Sequence, residues 1–207
     1  MKYVKILGLA AIAAMALMAF GAGTASATKL CLNSLSTTAC SSHLGIGGTV
    51  EGTLTGSAVL ETTGGSTLDT CTGSTVSGKT TTTAATGAAV TGNVETLTWT
   101  GCTFPTATTA TGSLEISHIA STDNGTLRGK GQEVTINTGL FGACTYGTSA
   151  TGTGTHLGTV VGGKPAKLTI NTIVPLTKNE SGLCPAEARW TASYTVTKPA
   201  EMWVSHN

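Results

Sequence analysis

The six cysteines are the residues of this sequence whose chemistry is simplest to define. Their number is even, and no two of them are as close as the C-x-x-C pairs that bind zinc, so disulfides are expected rather than a metal site. Six cysteines can pair in fifteen ways, but closing short loops costs the least chain entropy and favours pairing in sequence order. The predicted bridges are Cys31–Cys40, Cys71–Cys102 and Cys144–Cys184.

The histidines give little support for nucleophilic catalysis. They are scattered along the sequence, and no G-x-S-x-G turn is present to expose a nucleophilic serine. His118 shares the parity of Leu114 and Ile116, so we expect a structural histidine at the core or its rim. His156 has the opposite parity from Leu157 and is expected to face solvent. The remaining two histidines are His43 and His206.

Carboxylate pairs would be needed for a glycosidase, which places two acids on either side of a sugar bond. The ten acidic residues are dispersed and stand in no distinctive motif. Glu95 and Glu115 are the least ordinary, because each lies beside apolar residues on a predicted strand, yet a solvated strand face explains both. No calcium loop of the D-x-[DN]-x-[DN]-G type occurs. The sequence therefore predicts no catalytic residue, no cofactor and no metal site.

Exposed aromatic rings on a β-sheet can stack against sugars. Trp190 and Tyr194 share the apolar parity of one strand and are expected in the core. Trp203, near the C-terminus, is the one residue we single out as a possible ligand-binding residue.

The first 27 residues have the pattern of a secretory signal peptide. Lys2 and Lys5 precede an apolar run over residues 6–20, and the small residues Ala25-Ser26-Ala27 suit a signal peptidase. The run is shorter than the roughly 20 residues of a membrane span, and no second run of spanning length follows. Cleavage after Ala27 leaves Cys31 near the new N-terminus, where Leu30 is too large for lipoprotein processing.

The chain after Ala27 carries few charges. Loss of Lys2 and Lys5 changes the formal net charge from +1 to −1. No basic patch is present to attract phosphate backbones, so nucleic acid is not an expected partner.

Composition predicts the fold class of residues 28–207, which we expect to form one domain. Thr makes up about a fifth of the sequence, Gly numbers 28, and the usual helix formers are scarce. Short runs of alternating apolar residues, the clearest being RWTASYTVT from Arg189, are separated by turn residues. We predict an all-β fold, an antiparallel β-sandwich of eight to ten strands that is Ig-like or jelly-roll-like. An N-terminal signal-peptide helix is expected to precede it. Residues 28–47 should form a disulfide-closed segment, and residues 79–89 and 105–112 exposed connections.

Several segments together resemble a known group of proteins. The runs LDTCTGSTVSGK, VTGNVETLTWTGCTF and GACTYGTSATGTGTHLGTVVGGKPAKLTINTIVPL, followed by GLCPAEARWTASYTVTKPAEMWVS, are similar to an uncharacterised family of secreted Thr/Gly-rich proteins of actinobacteria. The likeness covers residues 68–205. It implies a secreted β-sandwich with Cys71 bonded to Cys102 and Cys144 to Cys184, and it implies no catalytic residue. Cys31 and Cys40 lie outside it.

These features favour a secreted or cell-surface protein that is not an enzyme and has a structural or binding role. Its expected partners are cell-envelope components, glycans or further copies of itself. Three alternatives stay open: a carbohydrate-binding module, a secreted hydrolase, and a self-assembling matrix protein that adds strand to strand at unprotected edges.

Overall fold

The computed structural model describes residues 27–33, 40–83, 88–139, 142–180 and 182–206, and within them it is entirely β-structure. This confirms the predicted all-β antiparallel sandwich. The signal-peptide helix lies outside the described residues. The strands are β1 (Thr28–Cys31), β2 (Thr49–Leu54), β3 (Ala58–Thr62), β4 (Thr67–Thr80), β5 (Val90–Cys102), β6 (Thr106–Ala110), β7 (Ser113–His118), β8 (Gly125–Lys130), β9 (Glu133–Asn137), β10 (Ala143–Gly147), β11 (Thr155–Val161), β12 (Lys167–Asn179), β13 (Glu187–Lys198) and β14 (Trp203–His206).

Four long strands, β4, β5, β12 and β13, run the length of the molecule. Each has 12 to 14 residues. In β12 the side chains of Leu168, Ile170, Thr172 and Val174 alternate strictly with exposed residues, because successive residues of a strand face opposite sides of a sheet. One side of β12 therefore builds the core, and the other faces solvent.

The strand pairings form a circuit. They run β13–β3–β4–β5–β7–β8–β11–β12, and β12 pairs again with β13. Strand β2, like β3, pairs with both β13 and β4. A second group, β10, β9 and β6, extends from the far end of β12. At Gly158 the pairing of β11 with β8 shifts register. A Cβ at Gly158 would collide with the Thr169 carbonyl oxygen, so this close approach of two backbones requires glycine.

The long strands connect two halves with separate cores. The capped half contains β2, β7, β8 and β11 and is covered by the two-stranded sheet of β1 and β14; its core is built on Leu127, Val160 and Tyr194. The stapled half contains β3, β6, β9 and β10, and its core is built on Ile136 and Tyr146. Trp190 packs against both cores and joins them.

Three expectations are corrected by this arrangement. Residues 105–112 are not an exposed connection, because Thr106–Ala110 forms β6, paired with β9. Residues 79 and 80 belong to β4, and Thr81 continues the pairing through its N–H bond to the Thr91 carbonyl. The described residues hold fourteen strands rather than eight to ten, since a threonine-rich strand such as TATTA has no apolar alternation by which to recognise it. No helix in the described residues is long and apolar enough to cross a membrane.

Candidate functional site

The three disulfides have the predicted pairing. Cys31 bonds to Cys40 across nine residues, Cys71 to Cys102 across 31, and Cys144 to Cys184 across 40. The pair Cys71–Cys102 joins neighbouring strands β4 and β5, and Cys144–Cys184 ties β10 to the segment before β13. No described cysteine is free. Three such bonds indicate an oxidising environment.

A buried carboxylate stands beside one of these bridges. Asp69 is 4% exposed and accepts hydrogen bonds from the N–H groups of Thr70 and Phe104 and from the Thr106 hydroxyl, at 2.8, 3.1 and 2.5 Å. Its carboxylate also lies within 4.8 Å of the sulfurs of Cys71 and Cys102. These three residues cannot hold a metal together, because both sulfurs are already bonded to each other. Asp69 instead fastens the β5–β6 connection to β4.

The candidate acids on the strands do not form a catalytic pair. Glu95 lies 2.8 Å from the Lys79 amino group and is solvent-exposed. Glu115 lies opposite Thr91 on one side and Arg128 on the other. Four other glutamates make surface ion pairs as well: Glu51 with Lys198, Glu61 with Arg189, Glu133 with Lys178 and Glu201 with Lys164. These acids balance nearby lysines and arginines across strands.

The aromatic residues divide between the core and a half-buried surface. Tyr194 is 2% exposed and lies 3.0 Å from the Ser74 hydroxyl, and burial raises its pKa to about 12. Trp99 and Trp190 meet edge to face at 6.0 Å. The core positions predicted for Trp190 and Tyr194 are confirmed. Trp203 is half-buried, and the edge of its ring lies against Gly162, so only part of the ring is open to a ligand.

Threonine hydroxyls are paired across the outer surface of the long strands. Thr75 and Thr98 lie 2.6 Å apart, and Ser77 and Thr96 lie 2.7 Å apart, on neighbouring strands β4 and β5. Thr195, on the predicted polar face of β13, lies 2.8 Å from Thr55. Each pair satisfies its hydroxyls locally and fixes the side chains. The outer face is thus a rigid hydroxyl surface with few charges.

One open polar cleft lies at the end of the capped half where β1, β7 and β14 meet. Its volume is about 400 Å³, and Thr28, Ser117, Ser121, His118 and His206 line it together with small alanines. The rings of His118 and His206 are 4.6 Å apart and tilted by 39°. These two histidines are 88 positions apart in the sequence, and the fold brings their rings together.

The backbone holds the cleft together from three sides. Thr28 of β1 lies opposite His206 of β14, and its hydroxyl accepts a hydrogen bond from the His118 N–H at 3.1 Å. The Val204 N–H donates to the Asp123 carbonyl at 3.0 Å and fixes β14 against the turn between β7 and β8. The His118 Nε2 atom lies 2.6 Å from the Thr122 carbonyl oxygen in the same turn. The rim position predicted for His118 is confirmed.

The interior also contains small apolar cavities. One of about 60 Å³ lies in the stapled half beside Trp99, Trp190 and Tyr146, and others of about 70 and 40 Å³ lie in the capped half. Such volumes suit a few water-sized atoms and not a metabolite. They are packing gaps, and the cleft at His118 and His206 is the better candidate for chemistry.

No protein-family model, curated protein or solved structure matches this chain. The class of protein is therefore defined by its own fold: a disulfide-bonded, all-β antiparallel sandwich. The resemblance to secreted Thr/Gly-rich proteins of actinobacteria stays a prediction.

Sequence reasoning missed the His118–His206 cleft because its partners are distant in the sequence. The parity of β7 places His118 at the rim, but only the pairing of β1 with β14 brings His206 beside it. The sequence does hold one indication that both histidines lie at strand ends, since each comes at the end of a short alternating run. Nothing local, however, indicates which two strand ends meet.

Proposed function

We propose that this chain is exported, loses residues 1–27 as a signal peptide, and works outside the cytoplasm as a non-enzymatic protein of the cell surface or extracellular space. The observation that carries the proposal is the set of three disulfides in a chain whose first residues match an export signal. Cytoplasmic thiol pools would keep the same cysteines reduced.

The surface supports a structural or binding role. Its hydroxyls are paired across strands, and five of its glutamates form ion pairs with neighbouring lysines and arginines. The partners that fit a weakly charged hydroxyl surface are glycans, other envelope components or a second copy of the chain.

Cell fractionation of the native protein tests the proposal. We expect the protein in the envelope or culture-medium fraction, beginning at Thr28, with no thiol reacting when it is denatured and alkylated without reduction. Proteins and glycans that copurify with it would identify its partner. A cytoplasmic protein that begins at Met1 and has free thiols would contradict export.

A charge change in the leader provides a matched control. Lys2→Glu together with Lys5→Glu removes the positive start of the signal and should trap the chain inside the cell. Lys29→Glu, a lysine just beyond the proposed cleavage point, should be exported normally. Equal export of both variants would show that the leader does not direct secretion.

A further inference from the structure

The cleft between β1, β7 and β14 combines features of a metal site. Imidazole nitrogens bind Zn²⁺, Cu²⁺ and Ni²⁺ well, and two imidazole rings lie 4.6 Å apart here. Within the described residues neither ring makes any hydrogen bond or ion pair other than the one from His118 to Thr122. Among the described residues the cleft is open, so an ion can reach it from solvent.

The hydrogen bond of His118 fixes which of its nitrogens can bind an ion. A carbonyl oxygen only accepts, so the bond at 2.6 Å to the Thr122 carbonyl requires the proton on Nε2. The lone pair of a neutral His118 is then on Nδ1. Metal-binding histidines almost always donate their other ring N–H to a carbonyl or carboxylate in this way, which sets the tautomer and the ring orientation.

The turn that carries Thr122 is constrained by its own backbone and hydrogen bonds. Ser121, which lines the cleft, has a φ of +62° and is the one described non-glycine residue with positive φ. The Thr122 hydroxyl donates to the Ile119 carbonyl and accepts from the Asn124 N–H. A strained residue held by surrounding hydrogen bonds is a common feature of binding sites, and this one lies next to the carbonyl that orients His118.

A third nitrogen becomes available at the same place if the leader is removed. The backbone nitrogen of Thr28 donates to the Ala88 carbonyl at 3.2 Å, and both residues line the cleft. Cleavage after Ala27 converts this nitrogen into the α-amino group of a residue that lies opposite His206 and lines the same cleft as both histidines. This step rests on the export proposed above.

Two imidazoles bound at about 2.0 Å to one ion have ring centroids on the order of 4.5 to 5.2 Å apart. The observed separation of 4.6 Å therefore allows both rings to bind the same ion. Square-planar coordination by nitrogen is typical of Cu²⁺, which also binds most tightly among these ions.

We propose that His118, His206 and the α-amino group of Thr28 form a three-nitrogen site for Cu²⁺ at the end of the capped half. Water completes the coordination. The protein would then bind or buffer copper outside the cytoplasm, which specifies the binding role proposed above.

The test uses the chain exported by its own leader, with its N-terminus sequenced, and Cu²⁺ alone as the probe. Calorimetric titration should give one Cu²⁺ per chain, bound more tightly than Zn²⁺, and electron paramagnetic resonance should show nitrogen ligands. His206→Ala should weaken binding by about tenfold or more. His156→Ala, at an exposed histidine of β11, is the matched control and should bind as the parent does.

The α-amino group is tested by inserting one alanine after Ala27, so that cleavage leaves the amine one residue away from the cleft. Near-ultraviolet circular dichroism should show that every variant is folded, and the affinity should fall about tenfold or more. Unchanged affinity in this variant or in His206→Ala would overturn the site, as would tighter binding of Zn²⁺. A chain that begins at Thr28 but binds no Cu²⁺ refutes the copper site alone, whereas a different N-terminus refutes the proposed processing.

Discussion

The two halves of the molecule are stabilised in different ways. In the described residues the capped half buries a core of fourteen residues and has one disulfide at its outer edge, Cys31–Cys40. The stapled half buries six residues, two of which are the cysteines of one bridge, and a second bridge stands beside it. A small core contributes little hydrophobic free energy. Cross-links therefore sit where the apolar contribution is weakest.

The same contrast extends to polar groups. The stapled half buries a carboxylate, Asp69, and satisfies it with backbone and hydroxyl donors. The capped half buries a neutral pair, Ser74 with Tyr194. Every buried side-chain nitrogen and oxygen of the described residues has a hydrogen-bond partner. The two halves thus differ in the charge of their buried polar groups, but in both halves those groups have hydrogen-bond partners.

The largest expected loss of stability comes from removing a disulfide. The double variant Cys144→Ala and Cys184→Ala opens a loop of 40 residues, which should lower the free energy of unfolding by about 4 kcal/mol if the bridge acts through chain entropy. The double variant Cys31→Ala and Cys40→Ala opens a loop of nine residues and should lower the free energy of unfolding by about 2.5 kcal/mol. Urea unfolding of the oxidised proteins measures both. Equal losses, or a larger loss for the Cys31–Cys40 pair, would contradict the expected difference between the two bridges.

The disulfides also show what the sequence can and cannot predict. Loop entropy favours all three observed pairs, and the strict alternation in β12 and β13 is enough to assign the buried faces of both strands. Strand β6 could not be predicted from the sequence, because its run of threonines and alanines has the composition of a loop. Its position depends on its pairing with β9. The His118–His206 cleft escapes because it depends on long-range pairing of β1 with β14.

A smaller loss of stability is expected when either buried polar group is removed. Asp69→Ala leaves two N–H groups and one hydroxyl in the stapled half without their charged acceptor, at a cost of about 3 kcal/mol. Ser74→Ala removes one neutral partner of Tyr194 in the capped half and should cost about 1 kcal/mol. Urea unfolding again gives the values.

Asp69→Asn is the control for charge, since its side-chain carbonyl still accepts from part of the donor set. We expect it to fall between the parent and Asp69→Ala. If Ser74→Ala destabilised the protein as much as Asp69→Ala does, the contrast between a charged and a neutral buried group would not hold.

The smallest expected effect compares one buried tyrosine in each half. Burial raises the pKa of Tyr146 and that of Tyr194 to about 12 from 10. The folded state therefore favours the neutral phenols. Their contribution to the free energy of unfolding is complete below pH 10 and is lost as the pH rises through 12. At pH 12 ionisation of Tyr194 should cost about 2 kcal/mol of stability, and ionisation of Tyr146 should change stability in the same direction. Tyr146→Phe and Tyr194→Phe should each flatten the alkaline loss, and lysine titration, common to all variants, cancels in the comparison.

Tyrosinate absorbance provides the direct readout, because removal of residues 1–27 leaves Tyr146 and Tyr194 as the only tyrosines. The folded protein should show little tyrosinate at pH 11, and most of it should appear together with the loss of circular dichroism. Full absorbance in a protein that keeps its native spectrum would show that the rings are accessible. If only one tyrosine ionises, comparison with Tyr146→Phe and Tyr194→Phe would show which one it is. The half that contains that tyrosine is the half that opens first. The core sizes predict that it is the stapled half, around Tyr146, once its disulfides are removed.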